Sequence, residues 1–374
     1  TGGGCPHILA EPMRTNLIQY SEDFSQSYWT KSGATVESGN ISPDGTANAF
    51  KLVEDTSTGN HYVKSGGFSA TSGLDYTFSA YFKKGENNFI QLIPSGAFGS
   101  LYANFDLLNG VVGSLSTGTS TIELVGEYYR CSFTVAATST SSTAVLFIWK
   151  IQSATSVRAE SYTGDGTSGV YIWGGQVEEG SYSTSYIPNF GTALGVTRNQ
   201  DIFTRDGIGS LINSTEGVLF LEMAALSDDG SYRQFSITDG TVDNRIIIRY
   251  TPTSNQINAY LYNGSVQGGQ MDFTLTDSTV FSKIAYKWKV NDFALWVDGV
   301  EVVTSSSGTT FSIGTLNKLN FDYSGAYFLN AKVKQLQVYD TALTDEQLLQ
   351  LTGLPNSTYS SYLAMANALN YTIQ

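Results

Sequence analysis

The amino-acid sequence predicts an all-β protein: two tandem antiparallel β-sandwiches followed by a short C-terminal helical tail. Three observations lead there. Short apolar segments repeat with the two-residue period of a half-buried strand, and Gly, Ser, Asn and Asp turns separate them with no helical period in between. The composition matches, with 41% apolar and 13% aromatic residues to build a core but only 14% charged residues. At 374 residues the chain also exceeds the size, about 250–300 residues, at which one hydrophobic core stops growing.

Taken in order, residues 1–15 form a lead-in and residues 16–190 the first sandwich. Its clearest strand is "DYTFSAYFKKG", where Tyr76, Phe78, Ala80 and Phe82 point one way and Thr77, Ser79, Tyr81 and Lys83 the other. In "SLYANFDLLNG", Leu101, Ala103, Phe105 and Leu107 face inward, Tyr102, Asn104 and Asp106 outward, and Asn109-Gly110 signals a hairpin. "AVLFIWKIQ" is apolar on both faces until Lys150, as a central covered strand would be. Pro188, Gly191 and Gly195 break the pattern at a joint, and residues 191–352 form the second sandwich. There "NDFALWVDGVEVV" reads as a hairpin turning at Asp298-Gly299, and Tyr260 and Tyr262 lie opposite Ile257, Ala259 and Leu261. "TALTDEQLLQLTGLP" is a helix, with Thr344 and Gln347 as its capping box, Asp345 and Glu346 in its first turn, and Gly353 and Pro355 at its end. Residues 353–374 form the tail, where Tyr362, Met365 and Leu369 have the spacing of a second short helix.

The net charge of −13 excludes nucleic acid as the main partner, since that affinity rests on Lys and Arg neutralising phosphates. No apolar run approaches the roughly 20 residues of a membrane-spanning helix, which argues against membrane insertion. The sequence opens with "TGGGCP" and not with Met. The expectation is therefore a cleaved upstream segment or a longer polypeptide, with any export signal in the missing part. Cys5 and Cys131 are either two free thiols or a disulfide tying the lead-in to a strand, and the second would fit an extracellular protein.

No catalytic constellation stands out. Glycoside hydrolysis needs two carboxyl groups about 5–10 Å apart across the scissile bond. Here "LFLEM" offers Glu222 alone, while Asp228-Asp229 lies in a turn. Any Ser/His/Asp triad would have to use His7 or His61, the only histidines. Calcium needs only oxygen ligands. Asp44, Glu54 and Asp55, beside Ser, Thr and backbone carbonyls, are the candidate structural calcium ligands, and turn stabilisation is their alternative role. What remains is binding. Sugar recognition sets aromatic faces against C–H surfaces and amides or carboxylates against hydroxyl groups. The outward residues Tyr81, Gln91, Tyr102 and Asn104 supply that mixture, with cross-strand pairing as the alternative for the tyrosines. In the second sandwich Tyr260, Tyr262 and Trp296 also point outward, and the outward side of "KIAYKWK" is Lys283, Ala285, Lys287 and Lys289, suited to solvent or an acidic neighbour.

The first sandwich resembles the jelly-roll carbohydrate-binding modules attached to polysaccharide-degrading enzymes. The resemblance lies in "NLIQYSEDF" with Trp29, "DGTANAFKLVED", "YTFSAYFKKG", "GEYYRCSFTV" and "GVYIWGGQVEEGSYSTSYIPN". Where that family carries an Asp pair on its closing strand, this chain has Gly174, Gly175 and Gln176. The second sandwich resembles concanavalin A-like, laminin-G-like domains through "FSKIAYKWKVNDFALWVDGVEV" and "LQVYDTALTDEQLLQL". In combination, opened by "GGGCPHILAEPMRTNLIQYSEDF" and closed by "MANALNYTI", the chain resembles bacteriophage tail-fibre and other virion-surface proteins. That resemblance implies a non-enzymatic tail or head fibre binding host cell-surface polysaccharide, located on the virion or outside the cell. It also implies other virion proteins as partners and a homotrimeric assembly. The alternatives are a polysaccharide depolymerase or lyase, and a purely structural assembly or decoration protein.

Overall fold

The structure is a computed structural model that describes residues 7–264 and 266–353. Its sheets are antiparallel throughout, and the chain separates into two compact units. Unit 1 is Met13–Gln200. Unit 2 is residues 201–353 together with residues 7–12, so unit 1 sits within the sequence of unit 2.

Unit 1 packs two sheets face to face. Sheet I runs Val111–Leu115, Ala103–Asp106, Phe89–Ser95, Ser141–Lys150, Tyr62–Lys64, Thr30–Ser32, with Phe68–Ala70 also on Ser141–Lys150. Sheet II runs Thr119–Val125, Tyr128–Ala136, Asp75–Lys84, Gly169–Glu179, Ala49–Glu54, Ala34–Asn40. The alternation read in the sequence fills the space between them. Phe78, Ala80 and Phe82 meet Ile90, Leu92, Phe105 and Ile148 in one core, closed by Phe24 and Trp29, whose ring centroids are 4.5 Å apart.

Two buried polar groups tie distant parts of this unit together. Asn16 is fully buried: its Nδ2 donates to Ile187 O (2.8 Å) and Gly175 O (3.3 Å), and its Oδ1 accepts from the amides of Ile18 (3.0 Å) and Val177 (3.2 Å). It thereby pins a β-bulge in which the pairing of Gly169–Glu179 with Asp75–Lys84 slips between Trp173 and Gln176. Gly174 takes φ +64° there, a conformation that favours glycine, and a Cβ on Gly175 would stand 3.3 Å from the Trp29 ring, a tight contact. Lys150 is also fully buried, and its ammonium donates to Glu54 Oε2 and Ser168 O, each at 2.6 Å. Glu54 further accepts from the Tyr162 hydroxyl (2.7 Å) and the Asp165 amide (3.0 Å).

Unit 2 is a second sandwich. Sheet III runs Ile8–Leu9, Ala331–Tyr339, Glu216–Ala225, Ser282–Lys289, Phe293–Val297, Val300–Ser305. Sheet IV runs Thr204–Arg205, Lys318–Asn320, Arg233–Thr238, Arg245–Tyr250, Gln256–Asn263, Val266–Thr274. Leu219, Leu221, Trp288 and Leu295 from one sheet meet Phe235, Ile246, Ile248 and Ile257 from the other. The hairpin at Asp298-Gly299 forms as the sequence indicates, with φ +49° and +86° at the two turn residues.

The helix Asp345–Thr352 carries the capping box read in the sequence, with Thr344 Oγ1 accepting from Gln347 N and Gln347 Oε1 from Thr344 N. It covers the outer face of sheet III, burying Leu348 against Val218, Phe220, Ala285 and Trp296. Burial of one such leucine is worth about 1.5–3 kcal/mol. This shows what covers the outward Trp296, while Lys287 and Lys289 find the acidic neighbours expected of them in Asp292 and Glu216. Trp296 is buried by the chain's own helix, Lys283 donates to Gly353 O (2.9 Å), and Lys287 pairs with Asp292 (2.7 Å) beside the helix N-terminus. The second helix expected at Tyr362, Met365 and Leu369 lies outside the described residues, as does Cys5 and hence its pairing with Cys131. Cys131 is buried in the unit 1 core, which pushes its thiol well above the usual range. Among the described residues no helix is long and apolar enough to cross a membrane.

Candidate functional site

The four residues singled out for sugar binding do not share one surface. Gln91, Tyr102 and Asn104 belong to the outer side of sheet I, whereas Tyr81 belongs to the outer side of sheet II. The outward phasing holds, but the accessibility expected from it does not. Gln91 and Asn104 are each 0% exposed, because the segment 152–160 folds over them. Gln91 Nε2 donates to Asn104 Oδ1 (2.6 Å) and Val157 O (3.1 Å), while its Oε1 accepts from Ala159 N (2.8 Å). Asn104 Nδ2 donates to Ser156 O (2.7 Å) and Ala154 O (3.1 Å). The two amides spend all their donors on each other and the loop backbone, and the covering segment keeps their oxygens from a sugar hydroxyl. Tyr81 is buried against Trp173 and Tyr186, at centroid distances of 5.2 and 6.0 Å, with the Arg130 guanidinium over its ring.

Tyr102 stays half-buried, and it belongs to an aromatic patch that the sequence reading passed over. The outer side of sheet I continues beyond the covering loop as Trp149, Tyr62 and Phe147. Pairing of Ser141–Lys150 with Tyr62–Lys64 sets Trp149 opposite Tyr62 and Phe147 opposite Lys64. The centroids are 4.4 Å apart for Tyr62–Trp149, 5.4 Å for Phe147–Trp149 and 5.1 Å for Tyr62–Phe147. Tyr62 and Phe147 remain partly exposed, Trp149 lies beneath them, and the Lys64 ammonium sits 5.8 Å from the Phe147 centroid. The result is a shallow ring-surfaced strip with a cation at its side.

The acids considered for calcium, Asp44 in one turn and Glu54 with Asp55 at the end of a strand, are occupied by protein donors. Asp44 accepts from Ser42 Oγ (2.5 Å) and from Thr46 N (2.8 Å) and Oγ1 (2.7 Å). Asp55 accepts from Ser57 N (2.9 Å) and Oγ (2.5 Å), bonds that hold its carboxyl below the ordinary range. Glu54 serves Lys150 and Tyr162. Among the described residues no group of three or more His, Cys, Asp or Glu side chains is gathered to hold a metal. His61 is fully buried with its ring nitrogens at Gly33 O (2.6 Å) and Tyr162 O (3.2 Å), which makes it part of the scaffold.

Unit 2 carries a second arrangement, on the outer side of sheet IV. Register places Arg245 between Thr238 and Tyr262, and Arg249 between Gln234 and Asn258. The Arg245 guanidinium lies 4.2 Å from the Tyr262 centroid and 4.7 Å from that of Tyr323, and Arg249 lies 4.6 Å from Tyr232 and 4.9 Å from Tyr260. Tyr260 is therefore outward-facing as expected, yet buried by its neighbours. Burial raises its hydroxyl pKa, against the opposing charges of Arg249 and Arg245. Beside Arg245 a cleft of about 180 Å³ opens, lined by Ser236, Thr238, Lys318, Asn320 and Tyr323 among others.

Comparison with known proteins gives a family match within unit 2. Residues 222–349 match the family described as the concanavalin A-like lectin/glucanases superfamily. None of the curated proteins matches the chain. Among solved structures the chain is similar to the CBM40 module of the Ruminococcus gnavus IT-sialidase bound to α2,3-sialyllactose, at 17% identity over 40% of this chain and 98% of that one, with a TM-score of 0.34. It is also similar to the leech intramolecular trans-sialidase, at 20% identity over 41% and 28% of the two chains, with a TM-score of 0.35. Domains LG4-5 of the mouse laminin α1 chain give 10% identity over 78% and 90%, with a TM-score of 0.26.

Proposed function

We propose that the protein is a non-enzymatic, lectin-like binder of cell-surface polysaccharide, and that the outer strip of sheet I holds the sugar. One observation carries this reading: two partly exposed rings, Tyr62 and Phe147, stand side by side over the buried Trp149 on one strand pair. Such a strip offers stacking faces to the C–H surface of successive sugar units without enclosing them. The lectin and glucanase membership of the family matching residues 222–349 supports sugar recognition as the general class. The virion-surface setting, with other virion proteins as partners and a homotrimeric state, rests on the sequence resemblance. A monodisperse monomer of the full polypeptide in light scattering would count against the trimer.

Affinity electrophoresis of the whole chain through bacterial polysaccharides tests the sugar site. Removing one stacking ring from a shallow site weakens binding by about 1–3 kcal/mol where the ring is a hot spot. Phe147→Ala and Tyr62→Ala should each reduce retention about five- to a hundredfold while both units keep their unfolding transitions. Parental retention in both variants would remove the strip from consideration. Release of reducing ends or unsaturated uronate from the same polysaccharides would replace this reading with a depolymerase or lyase.

A further inference from the structure

The arginines of unit 2 differ in their pairing. Arg233 has a counter-ion, its Nη2 lying 2.8 Å from both carboxylate oxygens of Asp229. Arg245 and Arg249 have none: among the described residues neither guanidinium makes a hydrogen bond or an ion pair, and the Nε of each is buried without a partner. Arg245 is only 7% exposed, and it lines the cleft on sheet IV. A guanidinium cannot shed its charge by deprotonation, so burial without an anion is unfavourable. The flanking Tyr262 and Tyr323 rings offset part of that cost and fix the plane of the fork. Of the other charges at the cleft, Lys318 pairs with Asp206 at 3.2 Å, while Asp322 keeps its negative charge, its Oδ1 accepting one backbone bond from Gly325 N at 3.2 Å, so any anion has to sit on the Arg245 side. Asn320 Oδ1 is also buried without a donor.

We propose that this cleft binds an acidic saccharide unit, with Arg245 taking its carboxylate or sulfate group. A planar fork beside an open volume is the geometry that receives such an anion through paired N–H donors. The hydroxyls of Ser236 and Thr238 and the amide of Asn320 suit the rest of a sugar ring, and Tyr323 offers it a stacking edge. At about 180 Å³ the cleft is small, which favours a single saccharide unit over an extended segment. The chain's net charge of −13 favours a sparsely acidic glycan over a dense polyanion. The site lies wholly within unit 2 and is independent of the aromatic strip on unit 1.

Calorimetric titration of the full chain tests this with four probes: a uronate-containing oligosaccharide, its carboxyl-reduced counterpart, a sulfated neutral oligosaccharide and a polyglutamate peptide. The parent should bind the uronate form about tenfold or more tighter than the reduced form, as expected for a hydrogen bond to a charged group. R245Q should erase that preference. R245K, which keeps the charge but not the fork, should retain only part of it. F147A should weaken the binding component of the strip, shared by the uronate and reduced forms, and leave the uronate-selective component of the cleft unchanged, which separates failure of this site from failure of the strip. Tighter binding of the sulfated probe would support the site and assign sulfate as its anion. Equal binding of the uronate and reduced forms, a parental preference in R245Q or R245K, or selection of polyglutamate over every oligosaccharide would overturn the proposal.

Discussion

Glu54→Ala is expected to lower the stability of unit 1 by about 3–5 kcal/mol, because it strands the Lys150 ammonium in a fully buried position with one carbonyl as its remaining partner. The Tyr162 hydroxyl and the Asp165 amide lose their acceptor as well. In a denaturant titration the transition of unit 1 should move and that of unit 2 should not. A shift below about 1 kcal/mol would show that the pair is not the internal tie described above. The same pair predicts an acid limit. Burial alone would raise the Glu54 pKa, but the hydrogen bonds from Lys150, Tyr162 and Asp165, with the Lys150 charge, bring it below the ordinary value. The unfolded carboxyl titrates near about 4.3. The stability contributed by Glu54 is therefore fully present above about pH 4.3 and is lost as pH falls through the lower folded value. Glu54→Gln removes this component, so the acid-side stability loss of unit 1 should be shallower in that variant than in the parent.

Asn16→Ala is the second large effect, expected at about 3 kcal/mol. It leaves the amides of Ile18 and Val177 without acceptors and the carbonyls of Gly175 and Ile187 without donors. A single buried group left unpaired costs about 1–3 kcal/mol, and local relaxation keeps four from adding in full. The Val177 amide should also exchange with deuterium much faster than in the parent. Unchanged Val177 protection would mean that the bulge holds without Asn16.

Where partners lie close in sequence, the fold could be read from the sequence. The capping box of Thr344 and Gln347 spans one turn, and Asp298-Gly299 carries its own backbone preference. The two-residue alternation around Phe78 and Phe105 assigned core and outer faces correctly, since pleating alone decides it. What alternation could not disclose is whether an outer face is covered. Gln91 and Asn104 are sealed by the segment 152–160, which follows them by about fifty residues or more, and Trp296 by a helix beginning at Asp345. The aromatic strip was hidden for the same reason: its strands are far apart in sequence, and only their register sets Trp149 opposite Tyr62. The Arg245–Tyr262 pair was more accessible. Those residues face each other across one hairpin, and the spacing in "RIIIRY" already put Arg245 and Arg249 on the same side of a strand.

The placement of residues 7–12 in unit 2 sets an order of events during synthesis. Ile8 and Leu9 emerge early, yet their partners Val333 and Lys332 emerge near the end of unit 2. At about 5–20 residues per second, unit 1 has time to fold before that partner strand exists. Once folded, it brings its own ends together, because Arg14–Asn16 pairs with Val196–Arg198. Glu11 and Asp201 then meet through a 2.9 Å bond from Glu11 N to the Asp201 carboxylate and a 3.0 Å bond from Asp201 N to Glu11 O. To unit 2, a finished unit 1 is a short loop. An unfolded one is a long loop, whose closure becomes costlier by about 0.6 kcal/mol for each doubling of its length. A nascent chain whose unit 1 has not yet folded would thus add its first strand to sheet III late, leaving the Ala331–Tyr339 edge open to pairing with other chains.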